Sequence, residues 1–265
     1  MNERDIVAVI DKSDELRAAS KHDEAIELLS EAIRDTPDAR LYFARGTHFD
    51  ESDQPEDAVT DFTKAIELQP DEARYYLARG RLLACALYRN RDALLDLERY
   101  LEFKPENVEA HQRACLCYLL LDLPLDQAWH HANAARQLAP HDHVTHFCVG
   151  QAQRSSKRFA EAVESFERAI DLEPEFAHYW AALGNSLRHS DRKEDLASAV
   201  AAYSKALQLA PDSQYDYYSR GHVRLQLGEL DEAIADLRQA RSMNPTEGQL
   251  ILINHALAEA EKRSK

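Results

Sequence analysis

Seven of the chain's nine prolines fall in one series, Pro37, Pro70, Pro105, Pro140, Pro174, Pro211 and Pro245, with gaps of 33, 35, 35, 34, 37 and 34 residues. Twelve residues before each stands an alanine, at Ala25, Ala58, Ala93, Ala128, Ala162, Ala199 and Ala233. Five residues before six of them stands another, at Ala32, Ala65, Ala135, Ala169, Ala206 and Ala240, with Tyr100 in that place in the third repeat. Five of the seven glycines, Gly46, Gly80, Gly150, Gly184 and Gly221, keep the same register. A period of this length means one supersecondary unit repeated, each unit burying its apolar face on its neighbours.

Each unit reads as two helices. "ARLYFARGTHFDE" (39–51) and "EDAVTDFTKAIEL" (56–68) both carry apolar residues at three- and four-residue spacing. The short polar turn between them forces an antiparallel pair. Proline then stops the second helix, because it has no N–H and disfavours helical geometry in the residue before it. The Gly and Ala positions fall where the helices cross, and small side chains there let the backbones approach.

Composition narrows the function. Hydrophobic content of 45% supplies a continuous core, and so few glycines and prolines argue against disorder or an all-β fold. The N-terminus "MNERDIVAVIDKSDE" has Asp and Glu where a signal peptide needs an apolar run, and no stretch is apolar enough to span a membrane. Cys85, Cys115, Cys117 and Cys148 form no CxxC pair, so reduced thiols and a cytoplasmic location are expected. A net charge of −15 argues against nucleic acid as a partner.

The segment "YWAALGNSLRHSDRKEDLASAVAAYSKALQLAP" (179–211), with Trp180, Leu183, Gly184, Ala199, Tyr203, Ala206 and Pro211, resembles the tetratricopeptide repeat. The resemblance covers seven repeats, at 6–38, 39–72, 73–107, 108–142, 143–176, 177–213 and 214–246, and residues 247–264 resemble the family's closing helix. It implies an all-α, right-handed superhelix forming a single domain, with first helices lining a concave groove. The first repeat departs from the pattern, with Ser13 for the glycine and Val9 for an aromatic. Loops in the third, fourth and sixth repeats carry extra residues.

Two constellations invite chemistry. His111, His130, His131, His141, His143 and His146 crowd one region, as metal ligands sometimes do. Register gives a plainer account: the fourth repeat position reads Val9, Tyr42, Tyr76, His111, His146, Trp180, Tyr217, an aromatic packing slot. No metal or cofactor is expected, and a histidine-cluster metal protein is the distant alternative. No GxSxG, phosphate loop or HExxH motif is present, so the chain is not expected to be an enzyme. Arg45, Arg79 and Arg220 precede the glycine in three repeats, and the same three carry Asp61, Asp96 and Asp236 on the second helix. Antiparallel helices would bring them together as structural pairs.

In the family's geometry, first-helix positions facing the groove select Arg74, Arg81, Arg113, Arg154 and Arg188, with Asn185, Gln112 and Gln151 nearby and Glu109 opposing. Phe43, Phe147, Tyr215 and Tyr218 would add apolar pockets. Guanidinium forks grip carboxylates, so the expected role is a scaffold that binds a protein or an acidic peptide, including a C-terminal carboxylate. The family's chaperone-tail clamp is not reproduced, since Asn185 occupies one of its positions but Ala181 replaces its lysine. Self-association through the groove or the terminal helices is the alternative, so a homo-oligomer is allowed for. Membrane partners are not expected.

Overall fold

The computed structural model describes residues 1–190 and 192–264. These form fifteen helices and no strand, gathered into two compact units, Met1–Leu138 and Ala139–Lys265. The first unit holds four hairpins: α1 (Glu3–Ala18) with α2 (His22–Asp35), α3 (Ala39–Glu51) with α4 (Pro55–Leu68), α5 (Ala73–Cys85) with α6 (Asn90–Phe103), and α7 (Val108–Leu120) with α8 (Leu125–Leu138). The second holds α9 (His143–Ser155) with α10 (Phe159–Leu172), α11 (Ala177–Leu187) with α12 (Lys193–Leu209), α13 (Gln214–Leu227) with α14 (Leu230–Ser242), and the closing α15 (Glu247–Arg263). None of the described helices is long and apolar enough to cross a membrane.

The turns inside the hairpins follow one backbone recipe. Ser20, Asp53, Lys157 and Gly228 adopt positive φ after the first helix. The next amide then turns back to a carbonyl five residues earlier, as in Gln54 N to Phe49 O and Arg158 N to Gln153 O, both at 2.9 Å. This left-handed closure ends a helix and reverses the chain. Several first helices start on a side-chain cap that satisfies a free amide: Asp38, Asn107, Asp142, Ser213 and Thr246 each accept from the first turn.

Helix crossings conserve volume. Eight residues before each repeat proline stand Leu29, Phe62, Leu97, Ala132, Phe166, Tyr203 and Leu237, all buried. A Cβ on Gly46 would lie 2.7 Å from the Phe62 ring, and one on Gly150 would lie 2.6 Å from the Phe166 ring. Where Cys115 fills the glycine slot, the facing position shrinks to Ala132, and both are fully buried. A larger residue on one helix is thus offset by a smaller one across from it.

The fourth-position slot also ties four of the hairpins to the turn before them. Tyr76 OH donates to Pro70 O at 2.9 Å, His111 Nε2 meets Pro105 O at 2.9 Å, and Trp180 Nε1 donates to Pro174 O at 2.8 Å. His146 makes the equivalent bond to Pro140. These rings anchor a carbonyl that the proline break leaves without a helical partner.

Burial holds the imidazoles of His48, His131, His146, His189 and His222 below their ordinary pKa. A lowered folded pKa means that the unfolded chain takes up more protons once the pH drops below about 6.5. Stability is therefore fully present above that value and is lost as the pH falls through the folded pKa values. In metal-free buffer, Tm should drop between about pH 7.5 and about pH 5.5. His146→Tyr, which keeps a ring and a donor in the slot, should shrink the drop, and a flat profile would refute the assignment.

In the closing helix, Ile253, Leu257 and Ala260 are buried, while Ile251 and Leu252 remain exposed.

Candidate functional site

In the first unit the predicted groove arginines sit beside acids of their own unit. Arg81 donates to Asp50 Oδ2 at 2.5 Å, and Arg113 donates to Glu109 at 2.8 Å and to Cys85 Sγ at 2.6 Å. Arg74 lies 3.7 Å from Glu72, with its guanidinium 5.1 Å from the centroid of the Phe43 ring and 5.2 Å from that of Tyr75. Phe43 is itself packed against Phe62 and Tyr75, and Gln112 is buried in α7. Glu109 is therefore not the one acid opposing these side chains. Asp50 holds the twelfth position of the second repeat and Glu72 precedes α5, so the first-helix positions of the third to sixth repeats include neither.

Three other arginines build a recurring knot. Arg45 holds Asp61 in a two-pronged grip at 2.7 and 2.8 Å, Arg79 holds Asp96 at 2.7 and 2.7 Å, and Arg220 holds Asp236 at 2.8 and 2.7 Å. Each guanidinium then reaches the second helix of the preceding repeat, donating to Ser30, Thr63 and Ser204 at 2.9, 2.9 and 3.0 Å. The three aspartates are almost fully buried. At Asp61 and Asp96 burial pushes the carboxyl pKa up while the guanidinium pulls it down. Asp236 receives a further bond, from Arg224 at 2.7 Å. One arginine thereby fastens its own hairpin and its neighbour, a structural task.

The second unit contains a cavity of about 390 Å³ whose walls come from three first helices, α9, α11 and α13, and from the turn before α13. Arg154 and Gln151 line one side, Phe147 and Ala181 form an apolar wall, and Asn185 and Tyr215 stand on another. Arg154 Nε donates to Gln151 at 3.0 Å, and no carboxylate lies within ion-pair distance of it among the described residues. Asn185 Oδ1 accepts from Tyr203 OH at 2.9 Å and from Tyr215 OH at 3.3 Å. Two hydroxyls commit the carboxamide oxygen, so the NH2 is what Asn185 has to offer a ligand.

Arg188 caps α11 outside the cavity wall, with a buried Nε that has no acceptor among the described residues. Burial, then Arg188 and Arg154, lower the pKa of His189, which stacks on Phe159. Asp212 and the buried Asp216 face the opposite end. The cavity is therefore polarised rather than uniformly basic. Phe147 packs on Phe166 and Tyr179, while Tyr218 packs into the cluster of Leu225, Leu237 and Leu257 and is absent from the cavity wall.

The histidine crowd does not assemble as a ligand set. His111 Nδ1 meets His131 Nδ1 at 2.9 Å while its Nε2 holds Pro105 O, and His143 Nδ1 bonds Tyr179 OH at 2.7 Å. With His146 bound to Pro140, these rings are spent on packing and local bonds. The histidine-cluster metal alternative is therefore set aside for this region.

Family models described as tetratricopeptide repeat match residues 43–108, 150–216 and 217–247. The chain is 24% identical over 224 residues to the human mitochondrial import receptor subunit TOM70, covering 80% of this chain and 35% of that protein. It is 32% identical over 140 residues to the peroxisomal targeting signal receptor of Candida albicans, covering 49% of this chain and 23% of the receptor. The chain thus spans about a third or less of the length of these relatives. The crystal structure of a tetratricopeptide repeat protein from Parabacteroides merdae aligns with a TM-score of 0.71 at 19% identity, covering 96% of this chain and 98% of that one. With its helical hairpins, its small-residue crossings and the matched stretches all in agreement, the chain belongs to the tetratricopeptide repeat family.

Proposed function

We propose that the chain is a non-enzymatic binding module that captures a partner protein through an acidic segment or C-terminal carboxylate held in the cavity of its second unit. The observation that carries this is Arg154, a cavity-wall guanidinium with no ionic partner among the described residues, in a space shared with the NH2 of Asn185. Both groups are donors, and a carboxylate supplies the acceptors they need, with charge-assisted bonds at the arginine. Phe147 and Ala181 offer an apolar wall for a neighbouring side chain. Asp212 and Asp216 at the far end disfavour a second acid there and so set a polarity for the bound segment. Membership of a family with receptors among its matched relatives supports the coarser part of this reading.

The test uses an array of decapeptides with randomised interiors, made as free acids and as amides. Acid-terminated members should be retained by the full chain, with binding that weakens as salt rises. Arg154→Glu should cost about 2–5 kcal/mol of that binding with helicity unchanged. Equal retention of acids and amides, or an unaffected Arg154→Glu variant, would refute the reading.

A further inference from the structure

One group of side chains in the first unit lies apart from the arginine knots and from the cavity of the second unit. His22 opens α2, and His48 and Glu51 share one face of the last turn of α3, three residues apart. His22 Nδ1 stands 3.3 Å from His48 Nδ1 and 3.7 Å from Glu51 Oε2, and one donor atom from each residue falls within 4.8 Å of the others. The rings meet edge to face, their centroids 5.5 Å apart and their planes at 62°. Zinc bonds of about 2.0–2.2 Å in a tetrahedron place neighbouring donors about 3.3–3.6 Å apart. The two measured edges at His22 sit close to that range, and Glu51, the most exposed of the three, is free to swing and close the third.

Chemistry agrees with the spacing. Two imidazoles and one carboxylate form a donor set suited to zinc, leaving a fourth position open. A metal needs neutral imidazole, and the buried environment of His48 already disfavours its charged form. Ser52 fixes the carbonyl of His48 with its amide at 3.0 Å and its hydroxyl at 2.7 Å, which holds the end of α3 in place.

We propose that His22, His48 and Glu51 form a zinc site with three protein ligands and a water-filled fourth position. The ion would clamp the start of α2 to the end of α3, joining the first two hairpins. The site is independent of the peptide reading, since none of its residues belongs to the second unit.

The full chain, stripped with chelator and titrated calorimetrically with zinc chloride at neutral pH, should take up one equivalent saturably. His22→Ala and Glu51→Gln should each weaken uptake by about tenfold or more, because a lost ligand costs at least as much as a lost supporting group. Circular dichroism on both variants checks that the fold is retained; the fully buried His48 is left untouched for that reason. Failure of the wild-type chain to saturate, or wild-type affinity in either variant, overturns the proposal.

Discussion

Asp236→Ala should destabilise the second unit by about 3–5 kcal/mol, the range expected when one partner of a buried ion pair is removed. Asp236 accepts both prongs of Arg220 and a third bond from Arg224, while only 4% of its surface is exposed. Without it, the Arg220 guanidinium is left partly buried with no carboxylate and Arg224 keeps only Glu229, at 3.8 Å, so much of their desolvation is uncompensated. The Ser204 bond would also lose the carboxylate that orients Arg220 toward it. Asp61→Ala and Asp96→Ala should cost less, because each strands one guanidinium. Urea denaturation supplies the magnitude, and hydrogen exchange supplies the location, with protection lost first in α13 and α14 since repeats contact only near neighbours. Replacing the set together, Arg220→Met, Arg224→Met and Asp236→Leu, should recover much of the loss. A single-variant cost under about 1 kcal/mol, the scale of a surface pair, would show that the knot does not hold the hairpins.

The knot also shows where reading a sequence stops. Arg and Asp occur together in three repeats and in no others, a correlation visible without coordinates. The third member is equally visible in the sequence. Seven residues before the proline, a hydroxyl residue stands only at Ser30, Thr63 and Ser204, each in the repeat just ahead of an arginine-bearing one. Hairpins, crossings and proline breaks are legible because each repeats its spacing seven times. Charge neutralisation is not, because Asp50 reaches Arg81 from the preceding repeat and Glu72 reaches Arg74 from the turn before α5, contacts that no spacing within one repeat pairs. The orientation of Asn185 is illegible for a similar reason, since it depends on hydroxyls from Tyr203 and Tyr215 on two other helices. His22 and His48 are 26 residues apart, a separation that matches no repeat period, so periodicity could not pair them.

Phe166→Ala should cost about 3–5 kcal/mol, the usual consequence of emptying a buried aromatic site. The ring is fully buried at the crossing of α9 and α10, against Phe147 and over Gly150. Its sharper consequence concerns the glycine. In the wild-type chain a Cβ at position 150 would meet three atoms of the Phe166 ring at 2.6, 2.8 and 3.0 Å, and the buried ring has nowhere to retreat. Overpacking of this kind costs about 1–3 kcal/mol. Alanine's advantage over glycine inside a helix is only about 1 kcal/mol, so Gly150→Ala should be destabilising on balance. With Phe166→Ala already present the obstruction is gone, the helix preference remains, and the added methyl occupies part of the void. Gly150→Ala should then stabilise by about 1 kcal/mol, and the reversal of sign in a double-mutant cycle reports direct contact between the two positions. The pairing of Cys115 with Ala132 in the fourth repeat is the same exchange already present in the chain. If Gly150→Ala destabilised both backgrounds equally, the ring would not be what requires glycine at the crossing.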